Sequence, residues 1–156
     1  MKYIEAPTEF VPTETDTSLF LAGGITGGPD WQAEMVAGLK DTSLALFNPR
    51  RENFPIHDPS AALAQITWEH KYLRVADAIS FWFFKETICP IVLYELGAWS
   101  MSDKPIFVGM DPEYQRRQDV EVQTKLVRPE VEIVYSLEEL TQQVRSWAKK
   151  EEWLRV

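Results

Sequence analysis

The sequence predicts an α/β fold: a doubly wound, all-parallel sheet of five strands in three layers. Two observations carry this. Apolar runs of strand length alternate with segments of helical periodicity along the chain, and that alternation builds parallel sheets with crossover helices. The strand-length runs are apolar at consecutive positions, as strands covered on both faces must be. A chain of 156 residues suits a single domain spanning 1–156 with one hydrophobic core.

Residues 1–17 are rich in Thr, Glu and Pro and read as an irregular arm, with a short extended piece at Lys2–Ala6. Ser18–Ala22 is a buried strand that ends in the tight turn Gly23-Gly24. Pro29-Asp30 opens a helix through about Leu39, with Trp31, Met35 and Leu39 at helical spacing. Leu44–Phe47 is a second strand, stopped by Asn48-Pro49, and residues 50–58 form a loop. Asp58-Pro59 supplies an N-cap and a first-turn proline for a helix carrying Leu63, Ile66, Trp68 and Leu73. Ala78–Phe84 is the third strand, Pro90 to about Met101 a helix, Pro105–Gly109 the fourth strand and Val131–Tyr135 the fifth. Ser136-Leu-Glu-Glu139 is a capping box for a last helix with Leu137, Leu140, Val144 and Trp147 on one face. Five such strands give a flavodoxin-like order, in which ligands bind beyond the C-terminal strand ends. Those ends lead into residues 23–28, 48–51, 84–89 and 110–117.

Bulk properties narrow the partners. A formal charge of −8 argues against a groove that tracks a nucleic-acid backbone. No run is long and apolar enough to cross a bilayer, and the N-terminus lacks the pattern of a cleaved leader. Cys89 is the only cysteine, so no intrachain disulfide can form, which points to the cytoplasm. His57 and His70 have no partner at metal-ligand spacing, so no metal site is expected, and no cofactor is implied.

Glu95 stands out because it is the only charged residue among the sixteen from Thr87 to Ser102. Its helix is apolar nearly all round, and a buried carboxylate is costly unless paired or used. It is either a functional group or a structural carboxylate held by a hydroxyl or an arginine. The turn Gly23-Gly24-Ile25-Thr26-Gly27-Gly28 holds four glycines, more than a β–α turn needs, and allows close approach of a ligand to the backbone. Gln65 and Glu69 lie four apart on one helical face, either as part of a site or as a solvated edge. Asp77 reads as a helix-end residue or a site residue. Of Arg50-Arg51, at most one faces a pocket. Trp31 and Trp68, near loop mouths, are core residues or stack on a base.

With these pieces in order, the chain resembles the nucleoside 2-deoxyribosyltransferase family over about residues 18–135. The resemblance rests on the Gly23–Gly28 turn, on Ala76-Asp77 before the third strand, on Glu95-Leu96-Gly97, and on Glu69, eight residues before Asp77. It implies a flavodoxin-like sheet, no cofactor and a small-molecule nucleoside substrate. Glu95 would be the nucleophile and Glu69 the acid at the base. Substrate contacts would come from Gly23, Gly24, Ile25, Thr26, Gly27, Trp31, Asn48, Arg50, Trp68, Asp77 and Cys89. Cys89 stands where many family members carry an aspartate on the sugar, so Glu86 or Thr87 would take that contact here. The resemblance also implies a homo-oligomer with a C-terminal-region residue lent between subunits, for which Tyr114, Arg117 and Asp119 are candidates. The chemistry implied is exchange of the base through a covalent glycosyl-Glu95 intermediate. Alternatives are hydrolysis of nucleoside 5′-monophosphates at the same site, and an inert nucleotide-binding module.

Overall fold

The structure, a computed structural model, describes residues 1–154. Its strands are β1 (Lys2–Glu5), β2 (Ser18–Gly23), β3 (Ala45–Asn48), β4 (Ala78–Phe83), β5 (Ile106–Met110) and β6 (Ile133–Val134). Its helices are α1 (Trp31–Gly38), α2 (Pro59–Val75), α3 (Pro90–Ser100), α4 (Arg117–Val127) and α5 (Leu137–Leu154). All pairings are parallel, in the order β1-β3-β2-β4-β5-β6. Without β1, this is the doubly wound flavodoxin-like order, with the direction of winding reversing between β2 and β4.

The expected sheet is therefore one strand short. Lys2–Glu5 pairs with β3 from Lys2 opposite Ala45 to Glu5 opposite Asn48. The short extended piece expected at Lys2–Ala6 is this strand; with only Ile4 turned inward, as an edge strand allows, it did not read as part of the sheet. The rest of the arm is tied down as well. Trp68 Nε1 donates to Thr8 O at 2.8 Å, and Tyr72 Oη donates to Phe10 O at 3.0 Å. Both aromatics are buried, and their polar ends need partners. Helix α4 went unread because its buried stripe is only Val120 and Thr124, with charged residues between.

The two faces of the sheet are covered by different helices. Phe20 and Phe47 meet the rings of Trp68 and Tyr72 on α2, with Phe47 and Tyr72 at 4.5 Å. On the opposite face, Ser80 reaches Met35 of α1, and Gly109 lies under Leu140 of α5. Fully buried strand residues such as Leu19, Leu21, Ile79, Phe81 and Val108 form the core between them. The capping box forms as read: Glu139 N–H donates to Ser136 Oγ at 3.2 Å, and that hydroxyl donates to Glu139 Oε2 at 2.8 Å. No helix among the described residues is long and apolar enough to cross a membrane.

Candidate active site

A cavity of about 340 Å³ opens beyond the C-terminal ends of β2 and β4, between the glycine turn and the start of α3. Phe20, Ala22, Gly23, Gly24, Ile25 and Thr26 form one side, and Thr87, Cys89, Pro90, Ile91, Val92 and Glu95 another. Pro49 and Glu69 close it. The place follows from topology, because the winding reverses between β2 and β4 and leaves a crevice there.

The glycine turn is shaped by packing below it and by hydrogen bonds at its back. A Cβ on Gly24 would lie 2.3 Å from the Phe84 ring and 2.7 Å from Cys89 Sγ, so no larger residue fits. Gly27 has φ of 79°, the left-handed region that glycine enters without cost. Trp31 Nε1 donates to Gly24 O at 2.9 Å. Arg50 Nη2 donates to Ile25 O at 2.8 Å and Pro29 O at 3.0 Å, while its Nε donates to Gln32 Oε1 at 3.1 Å. Asp30, 3.5 Å from Arg50 Nε, completes this staple and also caps α1 through the Ala33 N–H. With the Gly28 carbonyl at 3.4 Å, five carbonyl or carboxyl groups thus surround one guanidinium behind the turn.

Helix α3 begins at Pro90, and its N-cap Cys89 has φ of 50°, a conformation that costs a non-glycine residue about 1–2 kcal/mol. Tyr114 holds this segment, donating from Oη to Ile88 O at 2.6 Å while stacking on Phe83. Burial pushes the Cys89 thiol pKa up, so it is not an activated thiolate. Val92 and Leu96 face the core, and Glu95 turns toward the cavity.

Glu95 and Glu69 meet the same cavity from α3 and α2. Burial and, after it, the nearby Glu69 charge push the Glu95 carboxyl up to about 8. Burial also raises Glu69, while a hydrogen bond from Gln65 works the other way. Gln65 Nε2 reaches Glu69 Oε1 at 2.8 Å and Pro49 O at 2.7 Å. Among the described residues, no hydrogen bond or ion pair reaches Glu95 and no cationic side chain lines the cavity. A pair of carboxyls that share a largely buried pocket holds fewer charges than it has groups at neutral pH.

Of the residues singled out from sequence, the structure brings Glu95, Glu69, Gly23, Gly24, Ile25, Thr26, Thr87 and Cys89 to the cavity wall. The others lie behind it. Gly27 shapes the turn, and Trp31 and Arg50 support it from the far side. Asn48 accepts the Arg50 N–H at 3.0 Å and donates to Tyr3 Oη at 2.9 Å. Trp68 is a core residue. Asp77 binds the N–H and hydroxyl of Ser18, joining β2 to the start of β4. Phe20, Ala22, Pro49, Ile91 and Val92 went unnoticed because they read as strand, turn and helix residues; only the sheet topology turns them to one crevice. Tyr114, a candidate for lending between subunits, is buried and bound within its own chain. Arg117 and Asp119 are engaged by Glu121 and Arg116. No three His, Cys, Asp or Glu among the described residues cluster as metal ligands do.

The family model described as nucleoside 2-deoxyribosyltransferase like matches residues 16–114, well over half of the chain. The match takes in the glycine turn, both carboxyls and Cys89, and stops before α4. No curated protein matches the chain.

Proposed function

The chain belongs to the nucleoside 2-deoxyribosyltransferase-like family, and from that premise we propose that it cleaves and exchanges the N-glycosidic bond of free nucleosides at the cavity beside Glu95. The observation that carries this reading is that Glu95 and Glu69 line one cavity together with the glycine turn.

Glu95, as its carboxylate, attacks C1′ while the bond from C1′ to the base nitrogen breaks. The bond's electron pair leaves with the base, and a proton from Glu69 neutralises it. The intermediate is a glycosyl ester of Glu95. An incoming base then attacks C1′ with its nitrogen lone pair, gives its proton to Glu69 and frees Glu95. Two inversions give net retention. Positive charge at C1′ in each transition state is stabilised by the adjacent carboxylate, the more so as the surroundings are less polar than water. Thr26 and Thr87 supply hydroxyls for the sugar, and Cys89 fills the space beside Gly24.

Two features support a free nucleoside over a 5′-monophosphate. The cavity wall carries two carboxyls and no arginine or lysine. Arg50, the residue nearest to a phosphate clamp, spends its donors on turn carbonyls and Gln32. Product chromatography tests the function: deoxynucleosides with and without a second free base give a new deoxynucleoside under this reading, and an unchanged mixture opposes it.

The same reading makes the chain a cytoplasmic homo-oligomer. Ile66, Ile91 and Tyr94, all exposed, border the groove between α2 and α3 that both carboxyls also touch, and a second copy over it would close the site to water. Light scattering at micromolar protein is expected to give a mass above one 18.0 kDa chain, and a monomer contradicts this part.

A further inference from the structure

Gln65 stands outside the cavity wall, yet its amide is fixed by two groups of which one can only accept. Pro49 O is a carbonyl with no hydrogen to give, so the Gln65 atom 2.7 Å away must be the nitrogen. The same nitrogen lies 2.8 Å from Glu69 Oε1. The amide orientation therefore follows from chemistry, and Glu69 Oε1 is an obligate acceptor. The cost falls on the opposite end of the amide, where Gln65 Oε1 is buried with no partner. A flipped amide would set that oxygen against two acceptors, which is worse than leaving it alone.

A donor locked onto one oxygen of a carboxyl favours its ionised form. Glu69 shares its cavity with Glu95, for which no such donor exists among the described residues. We propose that Gln65 is a positioning residue for the proton of this pair: clamped by Pro49, it keeps Glu69 ionised and leaves the proton on Glu95. The inference rests on the reading of Glu95 as nucleophile for its meaning, though not for its test. The nucleophile is then masked until a nucleoside enters. A base nitrogen that accepts a hydrogen bond from Glu69 draws the proton there, and charge developing at C1′ favours the Glu95 carboxylate. Both changes move one proton from Glu95 to Glu69 and create none. Burial raises both carboxyls, Glu95 to about 8, and of the two only Glu69 has a hydrogen bond, from Gln65, that works the other way.

Other groups that face the pair have other engagements or no charge to offer. The groove between α2 and α3 brings His70, Arg74 and Tyr94 near the two carboxyls, with Arg74 Nε donating to His70 Nε2 at 3.0 Å. Cys89 lines the same cavity from the start of α3. None of these donates a hydrogen bond to either carboxyl in the described structure.

The test is a carbon-13 NMR titration of protein labelled at the glutamate carboxyls, with Glu95 and Glu69 assigned from Glu95→Gln and Glu69→Gln. In the wild type Glu95 is expected to titrate near pH 8, above Glu69. In Gln65→Met the two midpoints are expected to move in opposite directions, Glu69 up and Glu95 down, each by on the order of one pH unit. Gln65→Asn keeps an amide but falls one methylene short of spanning Pro49 and Glu69, and is expected to do the same. In the Glu69→Gln background, adding Gln65→Met is expected to leave Glu95 where Glu69→Gln put it. Midpoints that stay fixed, or that fall together as a merely loosened and hydrated pocket would give, overturn the inference. The readout needs no turnover, so failure of the proposed function appears separately, as a protein that titrates as described and exchanges no base.

Discussion

Glu69, from α2, and Glu95, from α3, face one cavity with no cation between them, and the charge of the first helps hold the second protonated up to about pH 8. The pair sits where the winding of the sheet reverses, so the fold delivers two acids to one crevice from helices that do not adjoin in sequence.

This arrangement sets a pH dependence of stability. Glu95 has its folded pKa raised from 4.5 to about 8, so the favourable contribution of its protonated form is complete below about 4.5 and is lost as pH rises through about 8. Glu95→Gln, which stays neutral, is expected to match wild type near pH 4 and to exceed it above pH 8 by a stability on the order of 1–3 kcal/mol. Thermal melts across that range check this; a variant less stable than wild type at pH 9 contradicts it.

Arg50 braces the glycine turn from behind and does not reach the cavity wall. Arg50→Ala leaves several turn carbonyls without their donor and is expected to cost about 1–3 kcal/mol, and to lower kcat/KM roughly tenfold through disorder of the turn. The ratio of activity on a deoxynucleoside to that on its 5′-monophosphate is expected to stay within about twofold. A selective loss on the monophosphate would make Arg50 a phosphate ligand instead.

Gly24 and Gly97 make opposite predictions. A Cβ at Gly24 meets Phe84 at 2.3 Å, so Gly24→Ala is expected to destabilise by about 1–3 kcal/mol and to narrow the cavity. Gly97 lies within α3 with nothing within 4 Å of a built Cβ, so Gly97→Ala is expected to stabilise a lone chain by about 0.5–1 kcal/mol. A loss at Gly97 in the assembled protein would place a neighbouring subunit at that point.

Cys89 fills a packed corner beside Gly24, with burial holding its thiol neutral. Cys89→Ser is expected to keep turnover within about tenfold of wild type. Loss as deep as that of a Glu95 variant would move the nucleophile to sulfur.

How much of this was legible in the sequence differs by element. β2 and β4 announce themselves as uninterrupted apolar runs because both their faces are covered, and the capping box at Ser136 fixes the start of α5. β1 reads only as a short extended piece and α4 not at all, because each buries too little: Ile4 in the one, Val120 and Thr124 in the other. In the candidate site, Glu95 was readable as a lone charge in an apolar helix. The polar residues around it were less so. Arg50, Asn48 and Asp77 hold backbone and side-chain groups behind the site, and nothing in their spacing separates a ligand contact from an internal brace. The spacing of Gln65 and Glu69 on one face of α2 was readable, but Pro49 carries no local signal, since its link to Gln65 exists only once α2 lies against the loop after β3.

The most direct test of the account is intact-mass measurement after reaction with a deoxynucleoside that bears fluorine at C2′, which slows both bond-breaking steps and lets the glycosyl-enzyme accumulate. The account predicts a single fluorosugar adduct on the wild type, mapped by peptide digestion to Glu95, no adduct on Glu95→Ala, and a loss of turnover in that variant of about three orders of magnitude or more. An adduct that persists in Glu95→Ala, or turnover that survives the substitution, would contradict it.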